Sequence, residues 1–133
     1  MINKTIIELA SNTSNANLTN NYSFKTSLKN SICGDKITLE ITIKKKRINS
    51  MKYKTESCIY CEASASLLSQ KIKNFNVTDI KKDFMELKKI TNQKNIKMPK
   101  KYSDFNKLLN SDNYNRFKCI FLPFDAVIKA LKL

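Results

Sequence analysis

The sequence predicts an α+β fold, a three-stranded antiparallel sheet followed by a helical layer. Two observations support this prediction. Between residues 22 and 55, apolar and polar residues alternate, which is typical of half-buried strands. After residue 58, apolar residues recur every three or four positions, which is typical of helices. Strands that come first and helices that come after indicate an α+β domain.

Three strands are predicted. The first two have alternating faces, which are Tyr22, Phe24, Thr26 and Leu28, and then Ile37, Leu39, Ile41 and Ile43. The third runs from Arg47 to Thr55, with Met51 and Tyr53 on one face. Ile48 is out of phase with that face, which predicts a β-bulge near the start of the strand. The connections are short, so we expect antiparallel pairing.

Four apolar stripes predict the helical layer. They are Cys58, Cys61, Ala65, Leu68 and Ile72; Val77, Ile80, Phe84 and Leu87; Tyr102, Phe105, Leu108 and Leu109; and Phe124, Val127, Ile128 and Leu131. We expect Thr78 and Ser103 to cap the second and third helices, and Pro123 to open the fourth.

The chain divides into a polar N-terminal segment, residues 1–21, and a domain over residues 22–133. Within the segment Ile6, Ile7 and Leu9 favour a short helix, and Ser11 to Asn21 reads as a loop. The sequence shows neither a membrane-spanning apolar run nor the pattern of a signal peptide, so we expect a cytoplasmic protein without a membrane partner.

The amino-acid composition limits the kinds of functional site that the chain can form. There is no histidine, which excludes a histidine base and a histidine metal ligand, so a metal site must use sulfur and oxygen. The net charge of +14 favours an anionic partner. However, the charge is mostly lysine spread along the chain, and no ribonucleoprotein motif accompanies it, so specific nucleic-acid binding is not expected.

The cysteines are the strongest candidates for a functional site. In the cytosol all four are expected to stay reduced. The only glycine of the chain, Gly34, separates Cys33 from Asp35, and a flexible joint between a thiol and a carboxylate suits metal binding as well as a simple turn. Cys58 lies where the third strand gives way to a helix, and the positive end of that helix favours its thiolate.

Two other cysteines are open to different interpretations. Cys61 could form a metal-binding or redox pair with Cys58, but its apolar stripe favours burial. Cys119 could be a core cysteine. Arg116 and Lys118 lie beside it in the sequence, however, and such cations would offset the charge of several thiolates.

Three motifs together resemble the iron-sulfur assembly family of IscU, SufU and the NifU N-terminal domain. They are Asn30 to Asp35, Cys58 to Ser66, and Arg116 to Cys119 followed by Leu122 to Ala126. The resemblance covers about Leu9 to Leu131 and implies the fold of that family. Lys118 replaces the histidine that usually precedes the last cysteine in IscU-type members, and with the long segment before Cys119 it favours the SufU branch.

The resemblance implies that Cys33, Asp35, Cys58 and Cys119 bind a zinc ion or a transient iron-sulfur cluster with its iron. It implies a sulfur relay in which a cysteine desulfurase of the SufS or IscS type forms a persulfide and a cysteine of this chain accepts the sulfur. We expect that acceptor to be Cys33, with Cys119 as the runner-up. Arg116 would be a nearby or docking cation, and downstream assembly or acceptor proteins would be further partners.

Three hypotheses remain. The chain is a scaffold or zinc-dependent sulfur acceptor for iron-sulfur assembly, and only the second use would make it a sulfurtransferase. Alternatively, it is a structural zinc-binding interaction module, which predicts an inert and slowly exchanging metal. A basic nucleic-acid-binding domain ranks last, and it predicts a salt-dependent affinity that cysteine substitutions leave unchanged.

Overall fold

The computed structural model describes residues 2–133. Three strands form one antiparallel sheet in the order β1-β2-β3. They are β1 (Phe24–Lys29), β2 (Lys36–Lys44) and β3 (Arg47–Glu56). The helices are α1 (Lys4–Ser11), α2 (Ile59–Lys71), α3 (Val77–Thr91) and α4 (Phe117–Ala130), with two 3₁₀ helices at Lys100–Lys107 and Ser111–Arg116. The predicted α+β class and the antiparallel sheet are confirmed.

The predicted bulge in β3 is present. Thr42 pairs with Ser50 and Ile43 with Ile48, so Asn49 is the extra residue of β3. The extra residue changes the side-chain phase, since successive side chains of a regular strand point to opposite faces. As a result both Ile48 and Met51 are buried, with 0% and 1% of their surface exposed, although their positions differ by three, which would place them on opposite faces of a regular strand.

Helices α2 and α4 pack together and against the sheet, and both have heavily buried sequences. The inward side chains of β2, Ile37, Leu39 and Ile41, are fully buried. Next to this layer lies a cluster of edge-to-face rings, formed by Phe84, Tyr102, Phe105, Phe121 and Phe124. The core therefore fixes α2 and α4 relative to the sheet. Cys58 immediately precedes α2, and Cys119 lies in α4.

Three predicted helix boundaries are wrong. The side chain that caps α3 is Asn76, whose Oδ1 accepts the backbone N–H of Thr78 at 3.1 Å, so Thr78 lies inside the first turn. The third helix is a 3₁₀ helix that begins after Pro99, so Ser103 is not its cap. Short polar residues suit several positions around a helix start, and the sequence alone does not distinguish them.

The fourth helix also begins earlier than predicted. Pro123 lies inside α4, which starts at Phe117. Proline disfavours a helix interior because it has no N–H to donate to the carbonyl four residues earlier, here that of Cys119. The burial of Ile120 and Phe121 before the proline, with 0% and 7% exposed, favours the helix in spite of this.

The N-terminal residues pack on the domain. The short helix is confirmed as α1, whose Ile6 is fully buried and which contacts α2. The loop after it is attached to β3, where the backbone N–H of Tyr53 donates to the Asn15 carbonyl at 3.0 Å. The division of the chain at residue 22 remains a prediction. Across residues 2–133, no helix is both long enough and apolar enough to cross a membrane.

Candidate metal centre

Four predicted ligands converge at one end of the sheet. Cys33 and Asp35 lie on the turn between β1 and β2, Cys58 immediately precedes α2, and Cys119 is in the first turn of α4. The ligand atoms of Cys33, Asp35 and Cys119 all lie within 4.8 Å of one another. Cys58 joins this group through Asp35, with its Sγ 3.3 Å from the carboxylate Oδ2. The structure thus brings together residues from three distant parts of the chain.

Asn30 organises the turn that presents Cys33 and Asp35. Its Oδ1 accepts the N–H of Ile32 at 3.0 Å, its carbonyl accepts the N–H of Gly34 at 2.8 Å, and its own N–H donates to the Asp35 carbonyl at 2.7 Å. Gly34 adopts a φ of 77°, which residues with a side chain rarely adopt. As a result Cys33 is exposed, whereas Asp35 points inward and is only 5% exposed.

In the sequence, Asn30 is noted only as the first residue of the motif Asn30 to Asp35. The signal was present, because an asparagine side chain commonly accepts the backbone N–H two residues later and so starts a turn. Asn30 stands at that distance from Ile32, at the end of the predicted first strand.

Asp35 connects the turn to the start of α2. Its Oδ1 accepts the backbone N–H of Cys58 at 3.0 Å, and its Oδ2 accepts the Cys58 thiol at 3.3 Å. Burial alone would raise the pKa of Asp35, but these two bonds, helped by bonds from the thiols of Cys119 and Cys33, hold its pKa below the ordinary value. Asp35 is therefore an anion, and it lies at the positive end of a helix.

Cys119 lies behind Cys33 and is nearly enclosed. The residue is 4% exposed, and its thiol donates to the Cys33 sulfur, with 3.6 Å between the two sulfurs. Burial raises the pKa of the Cys119 thiol, and its hydrogen bonds to Cys33 and Asp35 act in the same direction. Cys119 is thus a protonated thiol in the metal-free chain, and binding a metal ion would release its proton.

Two pairs of donor atoms have separations that suit a tetrahedral zinc ion. Two sulfurs, each about 2.3 Å from a tetrahedral centre, are about 3.8 Å apart, and a sulfur and a carboxylate oxygen are about 3.5 Å apart. The corresponding separations here are 3.6 Å for Cys33 and Cys119 and 3.3 Å for Cys58 and Asp35. Three thiols and one carboxylate also suit the iron of a cluster under assembly.

Arg116 links the two helices that carry ligands. Its guanidinium lies 5.5 Å from the centroid of the Tyr60 ring, which belongs to the first turn of α2. Arg116 immediately precedes α4, so this contact connects the start of α4, near Cys119, to the start of α2, near Cys58. Its predicted role as a cation close to the metal ligands remains a prediction.

The environment of Cys61 differs from that of the four predicted ligands. It is fully buried within α2, and burial raises the pKa of its thiol to about 12. The predicted burial of Cys61 is confirmed. Cys61 is outside the ligand group and serves as a packing residue.

A groove of about 930 Å³ opens beside the ligand group. Ile32 and Lys118, the residues directly before Cys33 and Cys119, are part of its wall. Ile32 is 75% exposed and Tyr114, which also lines the groove, is 65% exposed. The approach to Cys33 thus has an apolar surface that solvent can reach.

Known proteins are similar to this chain in sequence. The NifU-like N-terminal domain family matches residues 1–113, a stretch that contains Cys33, Asp35 and Cys58 but ends before Cys119. The iron-sulfur cluster assembly scaffold protein IscU of Thermotoga maritima is 32% identical over 107 residues, which are 78% of this chain and 73% of that protein.

Two solved structures share the fold. The N-terminal part of a nitrogen-fixing NifU-like protein from Brucella abortus has a TM-score of 0.84 at 17% identity, over 98% of this chain and 91% of that one. A putative iron-sulfur cluster assembly scaffold protein for the SUF system from Fervidobacterium islandicum has a TM-score of 0.84 at 20% identity, over 98% and 96%.

Proposed function

We propose that this chain works in iron-sulfur cluster assembly as a scaffold, as a zinc-dependent sulfur acceptor, or as both. The chain belongs to the NifU-like N-terminal domain family of iron-sulfur cluster assembly scaffolds. The observation that carries this proposal is the convergence of Cys33, Asp35 and Cys119 within 4.8 Å, with Cys58 held on Asp35. These four residues would hold a zinc ion or receive iron and sulfide as cargo. A bound zinc ion would keep the thiolates together and accessible to a sulfur donor.

We assign sulfur acceptance to Cys33, with Cys119 as the second candidate. The difference in exposure supports this order, because Cys33 is exposed and Cys119 is 4% exposed. A sulfur donor carried by another protein must bring its outer sulfur into line with the accepting thiolate, and that requires open space in front of it. Cys33 has such space, whereas Cys119 is nearly enclosed.

The proposed sulfur donor is a cysteine desulfurase of the SufS or IscS type, and the proposed recipients are downstream iron-sulfur assembly or acceptor proteins. The exposed Ile32 beside Cys33 and the net charge of +14 support docking of an acidic protein with an apolar contact. We also place this chain in the cytoplasm, as expected from the sequence.

The test is the zinc, iron and acid-labile sulfide content of protein purified without oxygen. The wild type is compared with Cys33→Ser, Cys58→Ser and Cys119→Ser, and Cys61→Ser is the matched control for loss of a cysteine outside the ligand group. Circular dichroism of each variant shows that it is folded. We expect about one metal ion per chain in the wild type and in the control, and loss of the metal in the other three variants.

The type of metal distinguishes the uses of the site. Zinc without sulfide supports the sulfur acceptor, and iron with matching sulfide supports the scaffold. Zinc that does not exchange, on a chain whose Cys33 takes up no sulfur, would indicate a purely structural zinc module instead. A wild type that holds no metal and cannot be loaded with zinc or iron would contradict the proposed site.

A further inference from the structure

The sulfurs of Cys33 and Cys119 form an asymmetric pair. They lie 3.6 Å apart, and the Cys119 thiol donates its hydrogen to the Cys33 sulfur. Cys33 is exposed on a turn, whereas Cys119 is nearly enclosed on a helix. A molecule that approaches from solvent therefore meets Cys33, and the inner sulfur of any adduct on Cys33 would face Cys119.

We propose that Cys119 resolves a persulfide on Cys33, so that the chain itself converts accepted sulfur into sulfide. This inference rests on the proposed sulfur acceptance by Cys33. Cys119 Sγ attacks Cys33 Sγ, the bond between Cys33 Sγ and the outer sulfur breaks, and the outer sulfur leaves with that bond's electron pair as hydrosulfide. The proton of the Cys119 thiol passes to the leaving hydrosulfide. The outer sulfur is reduced by two electrons while the two cysteines are oxidised to a disulfide.

The contacts favour Cys119 over Cys58 as the attacking group. The Cys58 thiol is directed to Asp35 Oδ2 at 3.3 Å, and its backbone N–H is bound to the same carboxylate. The Cys119 thiol already contacts the sulfur that it would attack. Cys61 is fully buried on α2.

The turn has the freedom that the bond requires. A disulfide joins sulfurs about 2 Å apart, so the two sulfurs must approach by about 1.5 Å. Cys119 is fixed in α4, and the movement therefore falls to Cys33. Its neighbour Gly34 has no atom within 4 Å of the position a Cβ would take, so nothing packs against that side of the turn.

The reaction has a consequence for the metal site. Each turnover leaves two of the four ligands in a disulfide, so the chain cannot hold metal through them until a dithiol reductant returns two electrons. Sulfide release and metal loading would then occur in separate stages of one cycle.

The experiment loads the full chain with glutathione persulfide under anaerobic conditions, both as purified and after removal of metal with a chelator. The variants are Cys119→Ser, Cys119→Ala and the control Cys61→Ser. Free thiols are blocked at timed intervals, disulfides and persulfides are mapped by mass spectrometry without reduction, and released sulfide is measured. A sample without the persulfide accounts for oxidation by residual oxygen.

In the wild type and in Cys61→Ser we expect a Cys33–Cys119 disulfide and one sulfide for each disulfide formed. In both Cys119 variants we expect loss of the disulfide and of the sulfide above background, with a stable persulfide that accumulates on Cys33. If the Cys119 variants do not fold, the mapped disulfide and the sulfide ratio of the wild type decide the question.

A wild-type persulfide that persists on Cys33 without a disulfide would overturn the inference and leave sulfur acceptance intact. A disulfide between Cys33 and Cys58 would show that Cys58 resolves the persulfide, and it would overturn the assignment of that role to Cys119. Absence of any sulfur on Cys33, in the wild type and in the Cys119 variants, would overturn both the inference and the proposed acceptor.

Discussion

The Asp35 carboxylate accepts two hydrogen bonds from Cys58, one from its backbone N–H at 3.0 Å and one from its thiol at 3.3 Å. One side chain thus serves two purposes. It supplies the only oxygen in the proposed ligand set, and it fastens the turn after β1 to the first residue before α2. A substitution that removes the charge but keeps the shape can separate these purposes.

Asp35→Asn is expected to weaken zinc binding. The amide oxygen can still accept the Cys58 N–H, so the turn keeps its link to α2, but the neutral amide is a much poorer metal ligand. We expect the affinity to fall by at least the roughly 10–100-fold that loss of a supporting residue costs. A competition titration with a coloured zinc chelator measures it. Asp125→Asn, on the surface of α4, is the control, and an unchanged affinity in Asp35→Asn would remove Asp35 from the ligand set.

Gly34→Ala is expected to destabilise the chain by about 1 kcal/mol, because the left-handed conformation at a φ of 77° is unfavourable for alanine. A new Cβ would meet no neighbouring atom, so the cost lies in the backbone alone. Gly34→Asn should cost less, since asparagine tolerates this conformation. Urea unfolding of the wild type and the two variants measures their relative stabilities. Equal stability of all three would show that the turn changes its conformation to accommodate the new side chain.

Glu40→Gln is expected to loosen the loop that follows α1. Glu40 is 1% exposed, and its carboxylate accepts the backbone N–H of Thr19 at 2.7 Å and that of Asn20 at 3.0 Å. Loss of the charge should cost about 1–3 kcal/mol and speed hydrogen exchange in residues 12–21. The exposed Glu86→Gln is the control. Unchanged exchange in that loop would mean that Glu40 does not hold it.

Tyr102→Phe tests a buried phenol away from the site. The Tyr102 hydroxyl donates to Asp83 Oδ2 at 2.9 Å. Burial raises the pKa of Tyr102, and the bond to Asp83 and the charges of Asp83 and Asp79 act in the same direction. We expect the substitution to cost about 1 kcal/mol near neutral pH.

The same tyrosine gives a pH dependence. Its ordinary pKa is 10.0, so above that pH the unfolded chain loses the proton while the folded chain keeps it. The contribution of Tyr102 is therefore complete below pH 10.0 and decreases as the pH rises above it. The stability difference between the wild type and Tyr102→Phe, from urea unfolding at several pH values, should shrink in that range. A constant difference would contradict a raised pKa.

Local sequence patterns predicted the sheet well. Alternation identified all three strands, and the phase of Ile48 located the bulge, because a half-buried strand imposes its period directly on the sequence. The first residues of α3 and α4 were harder to predict from the sequence. Asn76 competes with Thr78 as a cap, and Pro123 looks like a helix start until the burial of Ile120 and Phe121 is known.

The site was predicted in part. The resemblance supplied the identities of Cys33, Asp35, Cys58 and Cys119, and the structure brings them together. The sequence could not show that Asp35 bonds to Cys58 or that Cys119 lies beneath Cys33, since both contacts join residues far apart in the chain. These two contacts form only when α2 and α4 pack on the sheet.

The separation of 86 positions between Cys33 and Cys119 also sets an order of events during protein synthesis. A nascent chain that has not yet produced α4 offers Cys33, Asp35 and Cys58 without the fourth ligand. Zinc, iron or sulfur that meets such a chain on the ribosome finds an incomplete and more weakly binding set. Loading of the complete set therefore has to wait until α4 has been synthesised and has docked on the sheet, so that metal uptake reports a folded domain.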